Sequence, residues 1–595
     1  MSARLPGAVL AIGLCVAASA WAARIGELPI PAAEPDAIDL RVPVSLTRDA
    51  ALARSIEQAQ RMIDSGEYLL ASGVLERAVA EKADAVDLRL TLARLYVRLG
   101  RFDDALRIAE SARAADPKAI APNEVLGDVY VRRGAIDEAV TAYGRWAELA
   151  PDAASAHERL GDALHRRRDS KAALVQYQRA IALEPKRVSS LAKSAVALVE
   201  LGREEEGARR AERALAARDD DSFALLALGY AHRAMGELDQ AEQVYRRGIS
   251  RAPDHPPFAL RLAEILRESG RVGPAIEVLN ALLVRVPEAQ AAREQLAKLY
   301  GEAGDSAHRE LELGRLALAR REQGEAQRHF AAALAANQKL DDAALELAAL
   351  ELARGNLDAA DARLAKLSDA ARNASRADVL RGQLALARKD PEGAERAYRR
   401  AVQSDPADAV GALALARLLA RTGRCSDAVK LYADAIARGA DLPTVHSERA
   451  ACHAERGELA LAETSFRAAL ARDPQHLDAL TGLAWVYLRS DKNPELAGFL
   501  AERALALHPD DAQLHYTLGR ARLAAGRREE AAEQLELVLA KAPDRPDALH
   551  HLGVARLGLG QREEARRRLE RVLEVAPTYP QAAAVRALLD QISAQ

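Results

Sequence analysis

Small residues recur every 34 positions along almost the whole chain, and this period constrains the fold more than any other feature. Stepping from Ala71 gives Ala105, Ala139, Ala173, Gly207, Ala241 and Ala275. After one phase break the series resumes at Ala326, Ala360, Ala394, Ala428, Ala462, Ala497, Ala531 and Ala565. A second small residue precedes each of these by twelve positions (thirteen in one unit), from Ala59, Ala93 and Gly127 to Gly519 and Gly553. Self-similarity at this period marks a solenoid of stacked helices. Such a chain presents a long surface rather than a single catalytic cleft.

One copy, 86–119, shows the physics of the unit. Leu92, Ala93 and Tyr96 (positions 7, 8 and 11) lie on one face of a first helix, and Ala105 and Ala112 (positions 20 and 27) on one face of a second. Small side chains at positions 8 and 20 let the two axes approach. Gly100, at position 15, supplies the positive φ of a tight turn. Pro117 ends the second helix, because proline has no amide hydrogen and clashes with the preceding turn. Turn glycines repeat at 66, 134, 202, 236, 270, 355, 423, 457, 526 and 560.

The pattern resembles the tetratricopeptide repeat family. The resemblance implies an all-α solenoid, a right-handed superhelix of about fifteen helical hairpins with a concave groove that binds partners. First-helix positions 2, 5, 9, 12 and 13 would face that groove. The copies fall at 52–289 and 307–579. Residues 290–306 carry a first-helix pattern with no second helix in register, which reads as a cap on the first array. The expected organisation is therefore a signal segment at 1–22 and a Pro-containing arm at 23–51. A first array of seven repeats with its cap fills 52–306, and a second of eight repeats with a capping helix at 580–593 fills 307–595.

The N-terminus reads as an export signal. Arg4 is a short positive region, Ala8 to Ala20 an apolar core, and Ala20-Trp21-Ala22 a small-residue cleavage site. Leu14 before Cys15 argues against lipidation. Cleavage points to the periplasm or envelope, with no integral membrane segment left. An uncleaved inner-membrane anchor is the alternative. Two cysteines would remain, Cys425 and Cys452, in an oxidising compartment. Their spacing allows contact or two separate thiols.

Positive and negative charges nearly balance, with a formal net charge of −3, so no basic field for nucleic acid is implied. Charge runs such as Arg166-Arg167-Arg168 read as solvated helix faces. Linker, repeats and caps use up the mature chain, which leaves no catalytic domain. Glycine-rich phosphate loops, paired CxxC and HExxH are absent from the sequence. No catalytic residue, cofactor or metal is expected. His550 and His551, as neighbours on a helix, point about 100° apart.

Most aromatics occupy core positions 11 and 24. Subtracting them leaves Phe223 and Tyr230 in one unit, and Trp485, Tyr516 and His550 on consecutive first helices. These five are the candidate groove aromatics. Glu158 and Asp162 are the candidate charged pair, at positions 5 and 9 of one unit. The resulting expectation is an exported, non-catalytic scaffold that binds protein partners. Its resemblance to long exported arrays points to exopolysaccharide secretion or envelope assembly, with a barrel or synthase subunit on another chain. Direct binding of polysaccharide or peptide by the groove aromatics is the alternative.

Overall fold

A computed structural model describes Leu40, residues 50–81 and residues 86–594. The signal segment with Cys15, and all of the 23–51 arm but Leu40 and the start of the first helix, lie outside the described residues. Among those described there are 33 helices and no strand. No helix among them is long and apolar enough to cross a membrane.

The hairpin geometry follows the sequence closely. The second helix of the copy at 120–153, α6 (Ile136–Leu149), buries Ala139 completely, and its Tyr143 lies across Gly127 of the partner helix α5 (Ala121–Arg133). A Cβ at Gly127 would sit 2.3 Å from the Tyr143 ring. The same glycine–aromatic pairing occurs for Gly161 with Tyr177, Gly229 with Tyr245, Gly314 with Phe330 and Gly382 with Tyr398. In these five units glycine at position 8 makes room for the position-24 ring, whereas Tyr432 and Phe466 stand in units with Ala416 and Ala450 at position 8. Every turn glycine named above adopts positive φ. Arg168, Arg321, Lys389 and Asp491 take the same left-handed conformation at the turns without glycine. For such side chains this conformation costs about 1 kcal/mol or more.

The phase break is absorbed without a gap in the stack. Helix α15 (Gln290–Glu302) turns at Gly304, φ +76°, into α16 (Ser306–Ala319). The Asp305 amide donates to the Tyr300 carbonyl at 2.9 Å, as Arg101 does to Tyr96 at 2.8 Å in a regular unit. Helix α16 packs against both α15 and α17 (Gln323–Ala336). It serves as second helix to one neighbour and first helix to the next, so an insertion of half a period keeps helices stacked.

The described residues form two compact units. One runs from Arg89 to Ser368 and the other joins residues 40–88 to Asp369–Gln595. In the second unit the hairpin of α1 (Ala50–Asp64) and α2 (Tyr68–Glu81) packs against α26 (Leu459–Arg472) and α28 (Pro494–Leu507). Arg467 Nε donates to Glu67 Oε1 at 2.8 Å. The Phe499 ring lies 2.8 Å from where a Cβ on Gly73 would be, so only glycine admits this approach. The last helix, α33 (Ala582–Ala594), covers α32 (Arg562–Val575) with Val585 and Ile592.

Candidate partner-binding groove

In the first unit, α7 (Ala154–Arg166) carries Glu158 and Asp162, one turn apart. The next first helix, α9 (Val188–Glu200), lays Lys193 over both. Its Nζ donates to Glu158 Oε1 at 2.9 Å and to Asp162 Oδ2 at 2.7 Å. Glu158 Oε2 also accepts from Arg187 Nε at 2.5 Å, Ser189 Oγ at 2.8 Å and Ser190 Oγ at 2.6 Å. Asp162 Oδ1 accepts only from Tyr177 Oη, at 3.0 Å. All three charged groups are buried.

The two carboxyls therefore titrate in opposite directions. Burial alone would push Glu158 up, but Lys193, the Ser190 hydrogen bond and Arg187 bring it well below the usual carboxylate range. Asp162 is also deeply buried, has fewer donors and faces the Glu158 charge, so it is raised in spite of Lys193. The pair is spent on the cation of the following repeat. Phe223 is half-buried against the apolar core, and Tyr230 belongs to that core.

The Asp162–Lys193 contact follows a rule. A position-9 side chain meets position 6 of the next first helix: Arg315 Nε reaches Glu346 at 3.3 Å, and Arg417 Nε reaches Glu448 at 2.9 Å. Ladders of this kind set the spacing of successive repeats and occupy groups that would otherwise face a partner.

In the second unit, α27 (Leu477–Arg489) presents Trp485 with 40 % of its surface exposed. The Arg489 guanidinium, one turn on, lies 5.8 Å from its ring centroid. Tyr516, on α29 (Ala512–Ala524), is buried instead. Arg545 stacks 4.5 Å from its ring, Arg520 lies at 5.9 Å, and His551 meets it edge-on at 5.6 Å. His550 and His551 lie in the second turn of α31 (Pro546–Gly558). His550 packs edge-on to Tyr579 at 5.7 Å. The His551 Nδ1–H donates to the Asp547 carbonyl at 2.6 Å. Burial pushes His551 down to about 4, and lowers His550 too, against a hydrogen bond that His550 donates to Gln581.

The structure thus gathers Tyr516, His550, His551, Tyr579 and Arg545 into one partly buried cluster and leaves Trp485 outside it. His551, Tyr579, Arg520 and Arg545 were missed by reading first-helix positions alone. Their signal is in the register: Tyr516 meets His551 35 residues on, in the next repeat, and Tyr579 stands 29 residues after His550, at the last position of the same repeat.

Family profiles described as tetratricopeptide repeat match residues 62–122, 193–256, 232–299, 345–409, 413–476, 453–512, 488–549 and 522–589. A further profile, described as TPR repeat, matches 127–167. Together they take in well over half of the chain.

The chain belongs to the tetratricopeptide repeat family.

Members of this family are generally non-catalytic scaffolds that bind protein partners. No curated protein matches the chain. Solved structures similar to it include the Cut9–Hcn1 hetero-tetramer of APC/C, at 15 % identity over 91 % of this chain and 96 % of that one, with a TM-score of 0.34. A tetratricopeptide repeat protein of Parabacteroides merdae aligns at 16 % identity over 42 % of this chain and 99 % of its own, with a TM-score of 0.37. The TPR protein YrrB, whose structure is described as having an unusual peptide-binding site, aligns at 22 % identity over 32 % of this chain and 99 % of its own, with a TM-score of 0.30.

Proposed function

We propose that this chain is an exported, non-catalytic scaffold that holds protein partners on the first-helix face of its repeats. It serves exopolysaccharide secretion or envelope assembly beside a barrel or synthase subunit carried on another chain. The N-terminal sequence supports export, and the repeat count supports a surface long enough for several contacts. The observation that carries a binding site is Trp485. Among the described phenylalanines, tyrosines and tryptophans it alone is left exposed, and Arg489 flanks it. A rigid, exposed aromatic beside an arginine is the composition of binding hot spots. The same Trp485 face supports a second reading, direct stacking on a sugar or peptide side chain.

The experiment is affinity capture from envelope fractions with the chain beginning at Ala23, as wild type and as Trp485→Ala. Loss of an anchor of about 2 kcal/mol weakens capture roughly thirtyfold. Helical circular dichroism should not change, because the ring is exposed. Equal capture by both proteins would remove Trp485 as the anchor. Capture of purified polysaccharide with no other protein present would favour the second reading. Native protein that still carries residues 2–22 would contradict cleavage.

A further inference from the structure

Cys425 and Cys452 lie on consecutive helices of the second unit, α24 (Cys425–Ala437) and α25 (Pro443–Glu455), which pack against each other. Both side chains are buried in the same apolar cluster. Their sulfur atoms are 2.6 Å apart. Two unbonded sulfurs in ordinary contact stand farther apart than this, whereas cysteines brought so close by their helices need little backbone movement to bond. Cys425 Sγ also lies 3.1 Å from Glu455 Oε2. We propose that Cys425 and Cys452 are a redox-active pair that closes to an intramolecular disulfide, stapling the second helix of one repeat to the first helix of the next.

The step is thiol–disulfide exchange with a disulfide-bearing oxidant, either an oxidised dithiol protein or glutathione disulfide. The thiolate of one cysteine attacks the oxidant's disulfide, forms a mixed disulfide and releases one thiolate. The second cysteine then attacks the sulfur of the first and expels the other. The protein's thiols give up two protons and two electrons, and the oxidant ends as two thiols. Burial, together with the neighbouring sulfur and Glu455, pushes the Cys425 thiol up. Cys452 is raised by burial as well. In the closed fold the attacking thiolate is therefore scarce, and exchange runs fastest while α25 is not yet packed on α24. Cys425 is the first residue of its helix, directly after the turn at Gly423. Fraying of that turn exposes it before the rest of the cluster opens.

The staple joins two repeats whose relative angle is otherwise held by side-chain packing and by ladder contacts such as Arg417–Glu448. Cross-linking removes open states from the local ensemble, so it stiffens this stretch of the array. The inference is independent of the proposed function.

The test uses the full chain, refolded in a glutathione redox buffer, alkylated under denaturing conditions and mapped by peptide mass. The expected result is a Cys425–Cys452 cross-linked peptide, lighter than the sum of its parts by two hydrogens. Oxidation of the already folded, reduced protein should be slower than oxidation during refolding. Amide exchange across 425–455 should slow about tenfold or more on oxidation, and Cys452→Ser should abolish that redox dependence. Recovery of both thiols fully alkylated after oxidative refolding, or pairing of either one with Cys15, overturns the proposal. Mapping of the wild-type chain decides the matter even if the serine variant folds poorly.

Discussion

Replacing Lys193 with Met should open the first unit locally around α7 and α9. The Lys193 ammonium is buried and bridges two buried carboxylates at 2.9 and 2.7 Å. Removing one partner from a buried pair leaves uncompensated charge, which costs about 3–5 kcal/mol. Two features place the expectation near 3 kcal/mol on that scale. Glu158 keeps Arg187 and two serine hydroxyls, and Asp162, already raised, can take up a proton. Stability in a repeat array is local, so the readout is amide exchange over 154–200 rather than one global melt. A loss of about 3 kcal/mol speeds that exchange on the order of a hundredfold at pH 7. The sign with pH follows from Asp162. Its folded carboxyl titrates above its unfolded value, so lowering the pH neutralises the charge that Lys193→Met leaves unpaired. The defect should shrink toward acid, and Asp162→Asn in the variant background should relieve part of it at pH 7. Exchange that changes less than tenfold, or a defect that grows on acidification, would refute this account of the site.

Gly127→Ala should destabilise its hairpin by about 1–3 kcal/mol, since the new methyl would meet the Tyr143 ring at 2.3 Å; denaturant melts or local exchange of 121–149 check it. The buried His551 is lowered to about 4, so its contribution is complete above the unfolded value near 6.5 and is lost as pH falls toward 4. The C-terminal repeats should weaken over that window, and His551→Asn should flatten the slope seen in exchange of 512–575. Tyr516→Ala, unlike Trp485→Ala, should lower the stability of these repeats. It removes a buried ring held between Arg545 and His551, and a circular dichroism melt distinguishes the two variants.

Helix positions, turns and hairpin packing were legible because each depends on residues within one 34-residue unit. Ala139 is fully buried, and Gly100 takes positive φ, as their repeat positions require. Where position 15 lacks glycine, Arg168 and Lys389 adopt its conformation anyway. There the packing of the flanking helices outweighs the local cost. The candidate site was less legible. Glu158 and Asp162 have the composition of a polar docking surface, yet the fold closes Lys193 over them. Tyr516 and His550 stand at the same repeat position, but Arg545 and Tyr579, each the last residue of the same repeat, cover them. Such contacts join residues 29 to 35 apart. They become visible only when a first helix is read against the end of its own unit and against the first helix of the next.

The sequence by itself determined the all-helical repeat, its turns and the small residues at its crossings. Local propensity and a regular apolar period suffice for these. The tertiary structure alone decided which repeats meet beyond their chain neighbours. Glu67 and Arg467 form an ion pair across 400 residues of sequence, and Gly73 admits the ring of Phe499. No period encodes that meeting, because it joins side chains of repeats that are not neighbours in the sequence. The contact of Cys425 with Cys452 lies between these cases. Repeat spacing put the two thiols on adjacent helices, but only side-chain packing could bring their sulfurs together.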